Sequence, residues 1–299
     1  MTHSTKDWII AFRPWSLPAS SMPSLIAITY VFYLSNQFSY INLWYGILAL
    51  IGAVVFQIVG NLISDYFDFK YNVDRKETFG SSRMLVENIF QPKSIFIYGI
   101  VFLIIGLLIG LYLLINTGIE LLWIGILGTL GSIFYYKMKY IALGDFLIFL
   151  IYGPLIGLGT VYVMTNQLFW QVILIELPIA FLIVNILHSN NTRDIRDDSK
   201  ANIKTQAMLL GIFGSKIQFL FLALGAYFLV LLFVILKLLH PISLIVLITL
   251  PITIKNIKLM RRAKIETPEI ISNLDASCAK LVLIFSLLIA LSNIIGKFI

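Results

Sequence analysis

The chain has 299 residues, of which 59% are hydrophobic and 12% are charged, and its mean hydropathy is +0.93. This composition excludes an ordinary soluble globular protein and is typical of a chain that crosses a membrane several times. The net charge of +7 reflects where lysine and arginine lie relative to the membrane, so it is not a signal for nucleic-acid binding.

Apolar segments of about 20 residues, the length that crosses a bilayer as a helix, recur along the chain. Nine spans are predicted, at residues 17–34, 43–64, 94–115, 118–136, 141–164, 168–189, 214–236, 241–255 and 277–296. Pro18 and Pro23 predict a kink in the first span. No cleavable signal is expected, because no small-residue cleavage site follows an apolar core at the amino terminus. The pattern predicts an all-α integral membrane protein of about nine transmembrane helices, with one domain over residues 1–299.

Lysine and arginine are concentrated in the connections that follow the second, fourth, sixth and eighth predicted spans. These basic residues are Lys70, Arg75, Lys76, Arg83, Lys93, Lys137, Lys139, Arg193, Arg196, Lys200, Lys204, Lys255, Lys258, Arg261, Arg262 and Lys264. Only Lys237 and Lys297 fall on the opposite side. Because cytoplasmic loops carry the excess of positive charge, we predict a multi-pass protein of the inner (cytoplasmic) membrane. Its amino terminus and these connections are expected in the cytoplasm, and its carboxy terminus outside.

Acidic residues are rare, and seven of the 15 lie in two short stretches near the ends of predicted spans 2 and 6. The seven are Asp65, Asp68, Asp74, Glu77, Asp194, Asp197 and Asp198. Carboxylates beside hydrocarbon are costly unless they bind a cation or line a polar cavity. Solvated helix ends are the simpler explanation, but the helix dipole disfavours aspartate at a carboxyl-terminal end. The two stretches therefore predict a divalent-metal site that holds a polyanion.

Helical spacing places the polar residues of each stretch on one face. These residues are Gln57, Asn61, Ser64, Asp65 and Asp68 in the first stretch, and Asn190, Asn191, Asp194 and Asp198 in the second. Their carboxylate and amide oxygens suit Mg²⁺ if the two helices face each other. Basic residues interleave with the acids, at Arg75, Lys76, Arg83, Arg193, Lys200 and Lys204. Such residues neutralise a departing diphosphate, although Lys200 alone fits an ordinary cytoplasmic anchor.

The two stretches resemble the paired signatures of the UbiA superfamily of intramembrane prenyltransferases. The first signature is the run from Asn61 to Asp74, which continues over residues 80–92. The second is Asn190-Asn191-Thr-Arg193-Asp194-x-x-x-Asp198, followed by Lys204-Thr205. Weaker similarities occur at residues 13–17, at Lys139 before residues 143–145, and at residues 153–154. The step from Asp68 to Asp74 and the extension with Arg83 most resemble the dihydroxynaphthoate polyprenyltransferases of menaquinone synthesis.

Three positions depart from the family pattern. Ser64 stands where the family usually has asparagine, and Asn61, one turn earlier, is the candidate to replace it. Asp145 stands where glutamate is common, and Gln206 stands where a small apolar residue is usual. We expect Asp145 near the cytoplasmic end of span 5, where it would orient the acceptor or a basic partner.

The resemblance implies helices around a central cavity roofed by cytoplasmic loops, Mg²⁺ bound by the two aspartate motifs, and a prenyl tail that leaves through a lateral opening. It implies transfer of a polyprenyl group from its diphosphate to an aromatic acceptor, with loss of carbon dioxide for a carboxylated naphthoate. Metal contacts and catalysis are assigned to Asp65, Asp68, Asp194 and Asp198. Substrate contacts are assigned to Asn61, Ser64, Asp74, Arg83, Lys139, Asn190, Asn191, Arg193 and Lys204. No obligate protein partner is expected.

Other residues and functions stay open at this stage. Tyr66, Tyr136 and Tyr152 are candidates to shield a cationic carbon, although tyrosine more often packs in so aromatic a chain. We expect Glu176 to be exposed at the membrane interface, and no metal role for His188. A hydroxybenzoate or a glycerol-based acceptor is the alternative within the superfamily. Outside it, a secondary transporter would require acids near the bilayer midplane and broken helices.

Overall fold

The computed structural model describes residues 4–299, so the first three residues of the predicted domain lie outside the described residues. Across residues 4–299 the regular elements are helices, and β structure is confined to an isolated bridge between Ile141 and Lys204. The α-helices are α1 (Thr5–Ala11), α2 (Pro18–Tyr33), α3 (Leu43–Lys70), α4 (Pro92–Thr117), α5 (Glu120–Tyr140), α6 (Gly144–Leu150), α7 (Ile156–Thr165), α8 (Gln171–Arg193), α9 (Ile195–Lys200), α10 (Gln206–Ile235), α11 (Leu250–Arg261) and α12 (Leu274–Gly296). The prediction of an all-α membrane protein is confirmed.

Within the described residues, eight helices are long and apolar enough to cross a bilayer. They are Leu43–Lys70, Pro92–Thr117, Glu120–Tyr140, Gly144–Thr165, Gln171–Arg193, Gln206–Ile235, Pro241–Arg261 and Pro268–Gly296. They correspond to eight of the nine predicted spans. The first predicted span, at residues 17–34, corresponds to α2. This helix has only 16 residues because a 3₁₀ turn at Pro14–Ser16 precedes it. Most of its side chains are buried inside the bundle, so lipid covers little of it.

Two of the membrane-length helices are irregular where proline interrupts them. The fifth predicted span consists of α6, a π-helical segment at Ile151–Leu155 and α7. Pro154 lies in that segment, and Tyr152 has non-helical backbone angles. Since proline has no N–H to donate and its ring displaces the preceding turn, the helix widens there. Further along, a 3₁₀ helix at Pro241–Thr249 precedes α11.

The interior of the bundle is formed mainly by α2, α7, α8 and α12, with Tyr30, Leu158, Ile179 and Phe285 among its fully buried side chains. By contrast, α4 and α10 expose many large apolar side chains, as expected for helices that face lipid.

The position of α8 in the interior corrects one expectation. Glu176 is fully buried rather than exposed at an interface, because it lies on α8 and packs against Gly157 of α7.

Candidate active site

The two acidic stretches meet at one end of the bundle, where they line a polar cavity of about 80 Å³. The polar and charged residues of its wall are Arg13, Ser64, Asp68, Asp74, Thr78, Ser81, Tyr135, Lys139, Asn190, Asn191, Arg193, Asp194, Asp197 and Asp198. They come from the ends of α3, α5 and α8, from α9, and from the connections that follow α1 and α3. The predicted convergence of the two stretches is therefore present.

The chain folds back over the end of α3 through a turn that brings Asp74 to the cavity. The N–H groups of Val73 and Asp74 both donate to the carbonyl of Asp68, at 2.8 and 3.1 Å. Asn72 makes this return possible because it adopts a left-handed backbone conformation, with φ of 56°. The longer spacing between Asp68 and Asp74 thus corresponds to a tight turn of the chain, which places both acids on the same cavity wall.

Asp68 lies at the centre of the first stretch and has several partners. Tyr140 donates its hydroxyl hydrogen bond to Asp68 Oδ1, and Ser64 Oγ donates to Asp68 Oδ2 at 3.2 Å. The ammonium of Lys139 lies 3.6 Å from the same Oδ2 atom. Lys139 thus lies beside an acid on the cavity wall, and its assignment as a substrate contact stays a prediction.

Asp65, one turn earlier, is not among the residues that line the cavity, and protein partners hold it, one of which, Arg13, belongs to the wall. Its carboxylate forms an ion pair with Arg13 and accepts a hydrogen bond from the hydroxyl of Ser82. Asp65 thereby ties the amino-terminal segment and the loop after α3 to the end of the helix. Its assignment as a metal ligand stays a prediction.

The second stretch spans the junction of α8 and α9. Arg193 forms a bidentate pair with the next residue, its Nε and Nη2 donating to the two carboxylate oxygens of Asp194 at 2.7 and 2.8 Å. The backbone N–H groups of Asp197 and Asp198 donate to the carbonyl of Asp194, which turns the chain into α9. Two side-chain oxygens remain buried without a hydrogen-bond partner, Asn190 Oδ1 and Asp198 Oδ2.

Burial makes the ionised carboxylates of this cavity unfavourable. Desolvation, with the nearby Asp68 carboxylate, raises the pKa of Asp74 to about 6. Desolvation raises the pKa of Asp198 to about 7, although Lys139 opposes the shift. It also raises the pKa of Asp194, against the opposing hydrogen bond from Arg193. The cavity wall also contains five acidic side chains and only three basic ones, and a bound divalent cation would favour the ionised carboxylates.

A second, apolar cavity of about 430 Å³ lies among α3, α4, α5 and the helix that contains Pro154. Its wall ends at Gln57 on α3 and Ser132 on α5, whereas the polar cavity begins at Ser64 and Tyr135 on the same helices. The separation is seven residues on α3, about 10 Å of helix, and three residues on α5, about 5 Å, so the two cavities follow one another along the bundle. Exposed side chains of α4 and α5, including Leu111, belong to the apolar wall. That cavity therefore reaches the lipid-facing surface.

Residues 24–272 match the UbiA prenyltransferase family. The chain belongs to the UbiA prenyltransferase family. It is 32% identical over 230 residues to the UbiA prenyltransferase domain-containing protein 1 homolog of Drosophila melanogaster, a match that covers 74% of this chain and 63% of that one. It is also 32% identical over 215 residues to UbiA prenyltransferase domain-containing protein 1 of Homo sapiens, covering 69% and 61%. The match thus spans less than two thirds of the length of these relatives.

Solved structures of UbiA homologs share the fold. The apo structure of a UbiA homolog from Aeropyrum pernix K1 has a TM-score of 0.65 at 14% identity, covering 89% of this chain and 96% of that one. A UbiA homolog from Archaeoglobus fulgidus bound to GPP and Mg²⁺ has a TM-score of 0.64 at 16% identity, covering 95% and 99%. These structures confirm the predicted fold, and the family match confirms the predicted superfamily. The matched relatives do not carry the name of the dihydroxynaphthoate branch, so that assignment stays a prediction.

Three UbiA-motif residues that were predicted to touch substrate lie away from the polar cavity. Asn61 donates to the Phe12 carbonyl and to Ser16 Oγ, both at 3.0 Å, and so holds the amino-terminal segment. Arg83 points to the surface, where its Nε donates to Glu87 at 2.8 Å. Lys204 is exposed. Their helical or loop positions were correct, but packing turns the side chains elsewhere.

The tyrosines divide between the two roles that the sequence left open, packing and a place beside the substrate. Tyr136 stacks on Phe67 with ring centroids 4.0 Å apart, and Tyr66 packs on Phe96, so neither lines the polar cavity. Tyr152 lines the apolar cavity, and Tyr135, which the sequence reasoning missed, lines the polar one. Its position one turn before Lys139 on α5 is the signal that would have identified it.

The residues present fit Mg²⁺ with a diphosphate better than a closed metal cage. Within residues 4–299, no three histidine, cysteine or acidic side chains already converge on one point as metal ligands. Mg²⁺ does not need such a cage, because it keeps several waters and takes one or two carboxylates together with substrate phosphate oxygens. The unpartnered oxygens of Asp198 and Asn190 are suitable Mg²⁺ ligands, and Asp68, Asp74 and Asp194 lie on the same wall.

Proposed function

We propose that this protein is a Mg²⁺-dependent polyprenyltransferase that moves the prenyl group of a polyprenyl diphosphate to an aromatic acceptor, for which dihydroxynaphthoate is the first candidate. The observation that supports the proposal is that two cavities of different character lie one after the other along the same bundle. The first is small, acidic and flanked by Arg13, Lys139 and Arg193, and the second is apolar and reaches lipid. A molecule with a doubly charged head and a long hydrocarbon tail matches both.

The groups of the site divide the work of the reaction. Bound Mg²⁺ would neutralise negative charge on the diphosphate. Lys139 and Arg193 face the same cavity and stabilise the diphosphate oxygens as the carbon–oxygen bond breaks and its electron pair leaves with the diphosphate. Residues 73–81 of the connection after α3 form part of the cavity wall, and they would limit the access of water to the electron-poor allylic carbon.

The ring of the acceptor then supplies the electron pair for the new carbon–carbon bond. A dihydroxynaphthoate ring that is attacked at its carboxylated carbon recovers aromaticity by releasing carbon dioxide, whereas a ring attacked at a hydrogen-bearing carbon releases a proton. Tyr135 lies on the wall of the polar cavity, three residues after Ser132 of the apolar cavity on α5, and its ring face can stabilise positive charge on the reacting carbon.

The deciding experiment is prenyl transfer by the purified protein in detergent, with Mg²⁺, a polyprenyl diphosphate and dihydroxynaphthoate. Parallel reactions contain hydroxybenzoate or EDTA. Metal-dependent formation of prenylated naphthoquinol with release of carbon dioxide is the expected result. Product from hydroxybenzoate alone would change the assigned acceptor from dihydroxynaphthoate to hydroxybenzoate. Absence of both product and diphosphate binding would favour the transporter alternative.

The apolar cavity gives a prediction about the length of the prenyl donor. Gly128 lines this cavity, and an added Cβ would meet no atom within 4 Å. Gly128→Leu should therefore fold and fill the channel. We expect kcat/KM for a long-chain donor to fall by about tenfold or more. The leucine side chain would occupy part of the channel and exclude the carbons of a long chain. A five-carbon donor serves as the internal control and should lose less than about twofold; equal losses for both donors would contradict the assignment of the channel.

The expected orientation in the membrane predicts which loops a reagent added outside the cell can label. Cys278 is buried, so in a Cys278→Ala background single cysteines can be introduced at two exposed positions, Ser39→Cys and Glu266→Cys. A membrane-impermeant maleimide should label position 39 in intact cells and position 266 only after permeabilisation, because the basic connection is expected to be cytoplasmic. The reverse pattern would invert the topology.

A further inference from the structure

A buried polar network lies beside the polar cavity and shares one residue, Asn191, with the cavity wall. Asp145, in the first turn of α6, is its centre and is only 2% exposed. The network also contains His188 and Asn191 from α8 and Gln218 from α10. It therefore joins three helices that surround the second acidic stretch.

Both carboxylate oxygens of Asp145 are used. Asn191 Nδ2 donates to Asp145 Oδ1 at 2.8 Å. On the other oxygen, His188 Nδ1 lies 2.8 Å from Asp145 Oδ2, and Gln218 Nε2 donates to it at 3.2 Å. The acid has no freedom to rotate without breaking several buried hydrogen bonds, each of which is costly to leave unmade.

The remaining members hold this arrangement in place. His188 is fully buried, and its Nε2 lies 3.2 Å from the carbonyl of Ser215 on α10. Gln206 Nε2 donates to Gln218 Oε1 at 3.0 Å, which directs the amide N–H₂ of Gln218 towards Asp145. Two of the positions at which the sequence departs from the family pattern, Asp145 and Gln206, therefore belong to one network.

Only one member of the network reaches the cavity wall, and that is Asn191. Asp145 Oδ1 accepts the hydrogen bond from Asn191 Nδ2, so the N–H₂ end of the asparagine amide faces Asp145. The amide oxygen is then on the side away from Asp145. We propose that Asp145 is a positioning residue that fixes the Asn191 amide with its oxygen towards the cavity, where it serves as a ligand for the Mg²⁺–diphosphate pair. This inference rests on the proposed function.

The test measures metal binding without turnover. Thermal unfolding of the purified protein is followed against Mg²⁺ concentration in the presence of inorganic diphosphate, for the wild type, Asp145→Asn, Asn191→Ala and the double variant. Each single substitution should raise the Mg²⁺ concentration of half-maximal stabilisation by about tenfold, the usual effect of losing a group that orients a ligand. The double variant should be no weaker than Asn191→Ala, because Asp145 acts only through that residue.

Two further variants separate positioning from folding. Asn256 accepts a hydrogen bond from Ser277 at 2.6 Å and is as buried as Asp145, but it lies on α11 and its partner lies on α12. Asn256→Ala should lower the melting temperature without changing the Mg²⁺ midpoint. Asp145→Glu keeps both acceptor oxygens and should stay closer to the wild type than Asp145→Asn, which also provides a folded variant if the asparagine variant is unstable.

The outcomes are distinct. An Asp145→Asn protein that melts earlier but binds Mg²⁺ as the wild type does would overturn the inference and leave Asp145 with a structural role. Multiplicative effects in the double variant, or an Asp145→Glu midpoint equal to that of Asp145→Asn at unchanged melting temperature, would also overturn it. Failure of the wild type itself to be stabilised by Mg²⁺ and diphosphate would overturn the proposed function together with the inference.

Discussion

Replacing Asp68 by asparagine is expected to reduce prenyl transfer by at least about a hundredfold, because the variant loses one negative charge where the metal and diphosphate meet. Asp68 faces the cavity, and its oxygens contact Tyr140, Ser64 and Lys139. An amide can keep the hydrogen bond from Tyr140 but cannot balance the Lys139 ammonium. The protein should therefore stay inserted and folded, with a small loss of stability, while turnover is lost.

Initial rates at saturating Mg²⁺, together with size-exclusion profiles in detergent, measure this effect. Glu87→Gln is the matched control, since Glu87 is an exposed acid whose partner is Arg83 on the surface. The control should retain activity within about twofold, as surface ion pairs contribute little. Full activity of Asp68→Asn with metal dependence intact would remove Asp68 from the site.

Asp198→Asn is expected to lose activity to a similar extent and, in contrast, to make the metal-free protein more stable. Asp198 Oδ2 is buried without a partner, and burial raises the pKa of this acid to about 7. The folded state then binds the proton more tightly than the unfolded state does. Stability of the wild type consequently falls as the pH rises from about 4 to 7, and the loss persists at higher pH.

The variant lacks this penalty. Since one pKa unit corresponds to about 1.4 kcal/mol, its gain in the free energy of unfolding is on the order of 2–4 kcal/mol at pH 8 and disappears near pH 4. Thermal unfolding in EDTA at the two pH values measures the gain. Added Mg²⁺ and diphosphate should stabilise the wild type but not the variant. A variant that is less stable than the wild type at pH 8 would instead assign Asp198 a structural role.

Much of the architecture was predictable because hydropathy and charge are local properties. Eight of the nine predicted spans correspond to membrane-length helices among the described residues. The exception, α2, shows the limit of the method: its apolar composition equally fits a short helix buried inside the bundle. Burial in protein and burial in lipid select the same residue types.

For the candidate site, too, part of the arrangement could be predicted from local spacing and part depended on packing. Helical spacing correctly grouped Asp68 with Ser64, since neighbours on one helix face stay neighbours in any fold. It predicted one helix for the second stretch as well, but α8 ends at Arg193, and the turn into α9 is what brings Asp198 to the same cavity. The same spacing placed Asn61 on that face, but the segment that follows α1 packs against it and takes up its amide.

By itself, the sequence determined that the chain is a multi-helix membrane protein with two acidic motifs, because apolar length, helical period and residue type are all readable over a few turns. Only the tertiary structure decided which side chains share the cavity. Arg13 reaches Asp65 across 52 positions of the chain, and Asp145 reaches Asn191 across 46. Such meetings depend on how distant helices pack, and packing is set by the sum of many contacts rather than by any local pattern.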